Sequence, residues 1–105
     1  MKDIIEYYDV QLKETFNLPV FDYVTPEELK AKYDRDVYGA MFCALEKLAS
    51  RPDWNNIPCF QMNDVIFEID REGYFEHLQN CVTYYTSTEE YEMCTRLMSL
   101  DETLK

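Results

Sequence analysis

The sequence predicts an α+β fold in which helices dominate, with four to five helices and one small β-hairpin in a single domain over residues 1–105. Long stretches repeat apolar residues at helical spacing, and one stretch near the middle is enriched in β-branched and aromatic residues. A chain of 105 residues is also long enough to bury one hydrophobic core without disulfides. These observations predict helices around one core, with the hairpin packed against them.

Residues 3–16 are predicted to form the first helix, an amphipathic one of about four turns. Charged residues on its outer face would pair at i,i+4 spacing, as Asp9 does with Lys13. Residues 20–24, which follow, are too few to assign, so an extended linker and an edge strand both remain open. The apolar face of the helix would consist of Ile4, Ile5, Tyr8, Leu12 and Phe16.

A second helix is predicted to begin at Pro26. Thr25 supplies an N-cap hydroxyl, proline occupies the first helical position and Glu28 stands at the capping-box position. An apolar face continues for about six turns until Arg51-Pro52, because the residue before proline is forced out of helical geometry. Two aspartates and a glycine near the middle are weak helix formers, so the segment is either one helix over 26–50 or two abutting helices.

Residues 57–69 are predicted to form the β-hairpin. Two runs of β-branched and aromatic residues flank Asn63-Asp64, a dipeptide typical of turns. A lone hairpin is only marginally stable in water, so this one must lie against the helices or pair with residues 20–24.

The last third of the chain is predicted to form a helical hairpin with a tight turn near Thr86-Ser87. Asp70 would cap a helix that runs to about Tyr85. Ser87 or Thr88 would cap the final helix. The residues expected to face the core are Tyr74, Leu78, Cys81 or Val82, and Tyr85 in the first of these helices, and Tyr91, Cys94 or Thr95, and Met98 in the second.

Twenty-one acidic against ten basic side chains give the chain a net charge of −11. Such an excess repels DNA, RNA and anionic membranes, so we expect no direct binding to nucleic acid or membrane. The acidic surface serves either a partner with a basic surface, which we favour, or solubility alone. Two glycines are too few for a glycine-rich phosphate loop, and no cofactor is expected. No apolar stretch approaches the roughly 20 residues of a membrane span, and no secretory signal opens the sequence. We therefore expect a cytoplasmic protein.

The cysteines form no Cys-x-x-Cys pair, and cytosolic redox conditions keep such thiols reduced. We expect them to be core residues that hold no metal. The alternative is a metal-binding domain or small enzyme based on His77 and Cys81, which lie one helical turn apart, with Cys94 or Cys59 completing a metal site. A non-enzymatic protein is favoured, because no motif with a catalytic mechanism is present. The four cysteines are Cys43, Cys59, Cys81 and Cys94.

The predicted binding surface lies in the acidic last third of the chain. Residues 70–105 carry eight acidic and three basic side chains, so few of the carboxylates have a cation four residues away. Carboxylates accept paired hydrogen bonds from arginine and tyrosine anchors buried contacts, a combination that suits a basic protein surface. The predicted partner-binding residues are Glu72, Glu76, Tyr84, Tyr85, Glu89, Glu90, Tyr91 and Glu92.

These features favour a small acidic, non-enzymatic inhibitor that docks on the basic, nucleic-acid-binding surface of a larger protein and partly mimics nucleic acid. Phage-encoded anti-defence or host-takeover proteins and immunity proteins against nucleases share this size and acidity. The alternative is an adaptor or assembly protein that uses the C-terminal helical hairpin. Self-association through the tyrosines would make such a protein a homo-oligomer.

A local sequence likeness points to the same hairpin. Glu89-Glu90-Tyr91-Glu92-Met93-Cys94-Thr95-Arg96-Leu97 resembles the second helix of the interaction motif of UvrB- and UvrC-type proteins, which runs Glu-acidic-Tyr-Glu-x-Ala-Ala-x-Leu-Arg-Asp. Cys94-Thr95 replace the two alanines, and Met98 and Ser99 replace the final Arg-Asp. The resemblance covers nine of 105 residues and implies a helical hairpin used for protein–protein contact.

Overall fold

The computed structural model describes residues 3–22 and 25–105. Over these residues the chain forms two β-hairpins joined by a long helix and followed by a helical hairpin. The four strands make one sheet in the order β1-β2-β3-β4. The elements are β1 (Asp3–Asp9), β2 (Glu14–Phe21), α1 (Pro26–Ser50), β3 (Asn56–Met62), β4 (Val65–Asp70), a 3-10 turn (Arg71–Gly73), α2 (Tyr74–Ser87) and α3 (Tyr91–Leu104).

The α+β class is confirmed, but the predicted balance of helices and strands is wrong. The described residues form three α-helices and one 3-10 turn rather than four to five helices. The sheet has four strands and two hairpins rather than the one predicted hairpin.

The difference arises at the N-terminus, where residues 3–16 are not a helix. β1 pairs antiparallel with β2, and the register sets Ile5 opposite Leu18 and Tyr7 opposite Phe16. The connecting turn closes where Asp9 accepts a hydrogen bond from the Leu12 amide on its carboxylate, at 3.0 Å. Asp9 and Lys13 therefore lie at the two ends of a hairpin turn and do not form the ion pair predicted for a helix face.

The long helix α1 begins at Pro26 as predicted, and its capping box is confirmed. The Glu28 amide donates to the Thr25 hydroxyl at 3.1 Å, and the Thr25 amide donates to the Glu28 carboxylate at 3.4 Å. The helix runs to Ser50 with one break, at Tyr33, whose φ of −126° and ψ of 18° are not helical. The sequence left open one helix or two abutting helices. The structure has one helix with a kink, just before the weak helix former Asp34.

The hairpin predicted over residues 57–69 is confirmed as β3 and β4. Asn63 and Asp64 both have positive φ values, 49° and 68°, as a type I′ turn requires. The hairpin also joins the segment after residue 20: β2 runs parallel to β3, with Val20 opposite Gln61 and Phe21 opposite Met62. The predicted pairing segment, 20–24, includes residues 23–24, which lie outside the described residues.

The helical hairpin of the last third is present, but its caps differ from those predicted. The 3-10 turn separates Asp70 from α2, and the Asp70 side chain makes no capping hydrogen bond. α3 begins at Tyr91 rather than after Ser87 or Thr88.

The face that α3 turns to the core was also predicted wrongly. Leu97 and Leu104 are buried, whereas Tyr91 and Met98 are 58% and 59% exposed. The helix has two rows of apolar side chains. The row with Leu97 and Leu104 packs against the core, and the row with Tyr91 and Met98 faces solvent.

The hydrophobic core lies where α1, the sheet and the helical hairpin meet. No charged or polar side chain is buried among the described residues. In the same part of the chain, no helix is long and apolar enough to cross a membrane. The largest fully buried side chains are Phe21, Leu45, Leu48, Ile57, Ile69, Leu78 and Leu97.

Candidate partner-binding surface

Two of the predicted partner-binding residues belong to the protein interior. Tyr85 is 4% exposed and packs edge-on against Phe42, with ring centroids 6.0 Å apart. Burial raises the pKa of Tyr85 to about 12. Tyr84 is half-buried and stacks on Tyr38 of α1 at a centroid distance of 4.5 Å. These tyrosines hold α2 against α1, so the Tyr85 ring is buried and only part of Tyr84 lies at the surface. Their contact with a partner stays a prediction.

Glu90 has an intramolecular partner that the sequence did not reveal. Its carboxylate accepts two hydrogen bonds from the Arg35 guanidinium, at 2.8 and 3.0 Å, and a third from the Thr88 hydroxyl at 2.8 Å. The hydrogen bonds from Arg35, and then from Thr88, hold the pKa of Glu90 below its usual value. Glu90 therefore fixes the α2–α3 turn to α1.

The α2–α3 turn places Glu89 in a strained backbone conformation. The Glu89 amide donates to the Thr86 carbonyl at 3.1 Å and the Glu90 amide donates to the Tyr85 carbonyl at 2.8 Å, the pattern of a Schellman motif. The motif requires a left-handed residue, normally glycine, and Glu89 fills it with φ 60°. Its exposed carboxylate forms no ion pair or hydrogen bond with the described residues.

The predicted acidic residues do not form one contiguous patch. The Tyr74 hydroxyl donates to the Asp101 carboxylate at 2.6 Å, so the start of α2 lies beside the end of α3. Because the 14 residues of α2 span about 21 Å, Glu72 and Glu76 lie far from Glu89 and Glu92. We call the two groups the open end (Glu72, Glu76, Asp101, Glu102) and the turn end (Glu89, Glu92).

Exposed apolar side chains occupy the surface between the two acidic ends. Phe75, Tyr91 and Met98 are 47%, 58% and 59% exposed. A shallow groove of about 340 Å³ runs between α2 and α3, with Phe75 and Val82 on one side and Met98 on the other. We call this surface, with the two acidic ends, the hairpin face; it consists of Glu72, Phe75, Glu76, Gln79, Val82, Thr83, Glu89, Tyr91, Glu92, Met98, Asp101 and Glu102.

Phe75 and Met98 were not among the predicted binding residues. The spacing of Phe75 and Val82 on α2 could have indicated a second apolar stripe, because positions seven apart share one side of a helix. Tyr91 and Met98 carry the same signal on α3, where they had been assigned to the core.

Of the cations in the last third of the chain, Lys105 pairs with a carboxylate of this face, whereas Arg71 and Arg96 are engaged elsewhere. Arg71 donates to three backbone carbonyls, and Arg96 donates to Glu46 of α1 at 2.6 Å. Lys105 is 3.3 Å from Glu102 in an exposed pair. Glu72, Glu76, Glu89 and Glu92 have no ion-pair partner among the described residues.

The alternative metal or enzyme site on His77 and Cys81 has little geometric support. Over residues 3–22 and 25–105, no three His, Cys, Asp or Glu side chains lie close enough together to hold a metal ion. Cys81 is fully buried, and this burial raises the pKa of its thiol to about 12. The pKa of the Cys59 thiol is raised for the same reason. Neither thiol is poised to act as a nucleophile at neutral pH.

The expectation that all four cysteines are core residues is wrong for Cys43. Cys59 and Cys81 are buried and Cys94 is half-buried, but Cys43 lies exposed on α1. Its position follows from the helix phase, since Met41, Phe42, Ala44 and Leu45 supply the core contacts around it.

We expect Cys43 to react first with a thiol reagent in the native protein. At mildly alkaline pH a chromogenic disulfide should modify Cys43 rapidly, Cys94 slowly, and Cys59 and Cys81 only after unfolding, because a buried thiol is neither ionised nor accessible. Replacement of Cys43 by serine should remove the fast phase. Rapid modification of four thiols without denaturant would contradict the observed burial.

Comparisons with protein-family models, with curated proteins and with solved structures found no match. The functional argument therefore rests on the geometry and charge of the hairpin face.

Proposed function

We propose that this chain is a small acidic, non-enzymatic binding protein that docks through its hairpin face on a basic surface of a larger protein and inhibits it. One observation carries the proposal: an exposed apolar groove lies between two groups of carboxylates, of which Glu72, Glu76, Glu89 and Glu92 have no ion-pair partner among the described residues. Apolar side chains at the centre with charged residues at the rim are the usual arrangement of a protein interface. Because the charge at the rim is negative, the partner surface is expected to be basic.

The apolar centre would supply most of the affinity. Phe75, Tyr91 and Met98 each keep about half of their surface in water, and covering that surface would contribute on the order of 1 kcal/mol per side chain. The carboxylates would act mainly on the association rate and on the choice of partner.

The backbone of Glu89 gives independent support. A glycine at this left-handed position would remove a strain of about 1 kcal/mol, yet the chain has glutamate there. Its carboxylate stabilises nothing within the described residues, so a role outside the molecule accounts for its presence. Backbone strain of this kind is found at binding and switch sites more than elsewhere.

We further propose that the partner surface is one that binds nucleic acid and that the chain acts in the cytoplasm. Lysine and arginine clusters that contact phosphates are the basic surfaces such proteins offer. A duplex about 30 Å long carries about 18 charges, well above the net −11 of this chain, so the mimicry would be partial. The free thiols of all four cysteines suit a reducing compartment.

The test compares variants of the hairpin face in their binding to proteins from the source cells. Tyr91→Ala with Met98→Ala removes two of the three side chains of the apolar centre, and Glu89→Gly removes one carboxylate while relieving backbone strain. Glu90 is left unchanged, because its replacement would break the pair with Arg35 and perturb the fold. Glu6→Gln, at an exposed position outside the face, is the matched charge control, because it also removes one carboxylate.

We expect a basic protein to bind wild type and the control but to bind the Tyr91/Met98 double variant about 30-fold more weakly or not at all. Glu89→Gly should melt at the wild-type temperature or above it and yet bind more weakly, which a purely structural role would not produce. Added nucleic acid should displace the chain from this partner. Equal binding by folded wild-type and double-variant protein would refute the hairpin face as the site, and a ternary complex with nucleic acid would refute the competition.

A further inference from the structure

A second cavity lies on the opposite side of α2 from the hairpin face. It measures about 300 Å³, opens to solvent, and is lined by α1 as far as Met41, by β3 and β4, and by α2. His77 and Asn80 line it from α2, roughly half a helical turn away from Phe75, Gln79 and Val82, which line the groove. The cavity is therefore separate from the proposed partner-binding surface.

The walls of this cavity are apolar and partly aromatic. Leu29, Val37 and Met41 of α1 form one side. On the other side, Phe67 stacks on Phe60 with ring centroids 4.9 Å apart, and Phe67 keeps 43% of its surface exposed. A volume of this size and such walls are typical of a pocket for a small molecule with a flat apolar group.

The polar lining of the cavity has two carboxylates against one lysine, together with Tyr38, His77 and Asn80, which can both donate and accept hydrogen bonds. Asp34 and Glu68 contribute carboxylates, and Lys30 is the one cationic side chain among the lining residues. Glu68 accepts a hydrogen bond from Asn56 at 2.7 Å, but the half-buried Asp34 forms no ion pair with the described residues. Burial is the larger cause of the raised pKa of Tyr38, another lining residue, and the charge of Asp34 is the second cause. The Asp34 carboxylate is therefore close enough to influence a group inside the cavity.

We propose that this cavity binds a small organic cation, an arylalkyl ammonium, with its ring against Phe67 and its ammonium group on the Asp34 carboxylate. An ammonium offers three donors to the acceptors in the cavity, and a charge-assisted hydrogen bond is about twice as strong as a neutral one. The net charge of −11 also concentrates cations near the molecule.

Three soluble probes of similar shape test the proposal: phenethylamine, phenethyl alcohol and phenylacetate, which are cationic, neutral and anionic. Each is titrated into the full chain while the backbone amides are followed by NMR. We expect phenethylamine to shift the amides of Asp34, Phe67 and His77 with a Kd below about 1 mM, the alcohol to bind about tenfold more weakly, and phenylacetate to bind more weakly still.

Variants assign the effect to the cavity. Asp34→Asn should weaken phenethylamine to the affinity of the alcohol and leave the alcohol unchanged, whereas Asp53→Asn, in an exposed loop, should change neither. Asn80→Trp, at an exposed lining position that does not overpack the core, should block all binding. The proposal fails if no probe shifts these amides up to about 5 mM, if the three probes bind equally, or if folded Asp34→Asn binds phenethylamine as wild type does.

Discussion

Replacing Arg71 with methionine is expected to lower the free energy of unfolding by about 3 kcal/mol. The Arg71 guanidinium donates to the carbonyls of Trp54, Leu48 and Arg51 at 2.6, 2.8 and 2.7 Å. It therefore joins the C-terminal end of α1, the loop before β3 and the start of the helical hairpin. Methionine preserves the apolar stem but supplies no donor to these carbonyls. The midpoint of urea unfolding measures the loss, and the melting temperature should fall by roughly 10 °C or more.

Two further variants separate hydrogen bonding from charge at this position. Arg71→Lys keeps the charge but has no planar fork, so it should recover only part of the stability. Lys32→Met removes an exposed cation that is 3.8 Å from Glu28 and should change stability by less than about 1 kcal/mol. If Arg71→Met unfolds at the same urea concentration as Lys32→Met, the three carbonyl contacts do not stabilise the fold.

Replacing Leu97 with alanine is expected to cost about 3 kcal/mol of stability, since large-to-small changes at buried leucines remove apolar burial and leave a cavity. Leu97 lies at the centre of α3, and its side chain is fully buried in the hydrophobic core. The loss should appear in thermal unfolding and in urea unfolding, with an unchanged dependence on urea concentration.

Met98→Ala is the matched comparison, one position further along the same helix. Met98 is 59% exposed, so its truncation should change stability by less than about 0.5 kcal/mol. The pair also tests the rotational phase of α3 directly. A larger loss for Met98→Ala than for Leu97→Ala would favour the core face that the sequence pattern predicted over the observed one.

The parts of the fold predictable from sequence are those fixed by local chemistry. Thr25, Pro26 and Glu28 specify the start of α1 within four residues, and Asn63-Asp64 can adopt the two left-handed conformations that the β3–β4 turn requires. Both features rest on contacts between residues close in sequence, so a sequence pattern can indicate them without knowledge of a distant partner.

The N-terminal hairpin could not be assigned in this way, because its residues fit two periods at once. Ile4, Tyr8 and Leu12 recur at helical spacing, but Ile5 and Tyr7 also alternate as a strand requires. β-Propensity depends on the neighbouring strand, and the sheet that β2 enters includes a β3 about 40 residues later. The tertiary partner therefore decided between the two readings.

The candidate site was predictable only as a region. Acidity and helical spacing indicated the last third of the chain, and the helical hairpin is indeed there. The ion pair that engages the Glu90 carboxylate depends on Arg35, 55 residues earlier, and no local pattern indicates it. The exposure of Met98 depends on which of two apolar series packs against α1, and that choice is made by the assembled core.

The short β2–β3 pairing in the middle of the sheet, called here the joint, affects how the N-terminal hairpin can separate from the rest of the molecule. Seven residue pairs hold β1 to β2 and six hold β3 to β4, but only Val20 and Phe21 of β2 pair with β3. Apart from this joint, ring contacts such as Phe16 with Trp54 and Phe21 with Phe60 hold the N-terminal hairpin in place. Glu14 of β2 also pairs with Lys47 and Arg51 near the end of α1. The hairpin can therefore detach as one unit at a lower free energy than global unfolding. Detachment would bare the edge of β3 as a template for a strand from another copy, so crowding of this protein would favour strand exchange and aggregation through that edge.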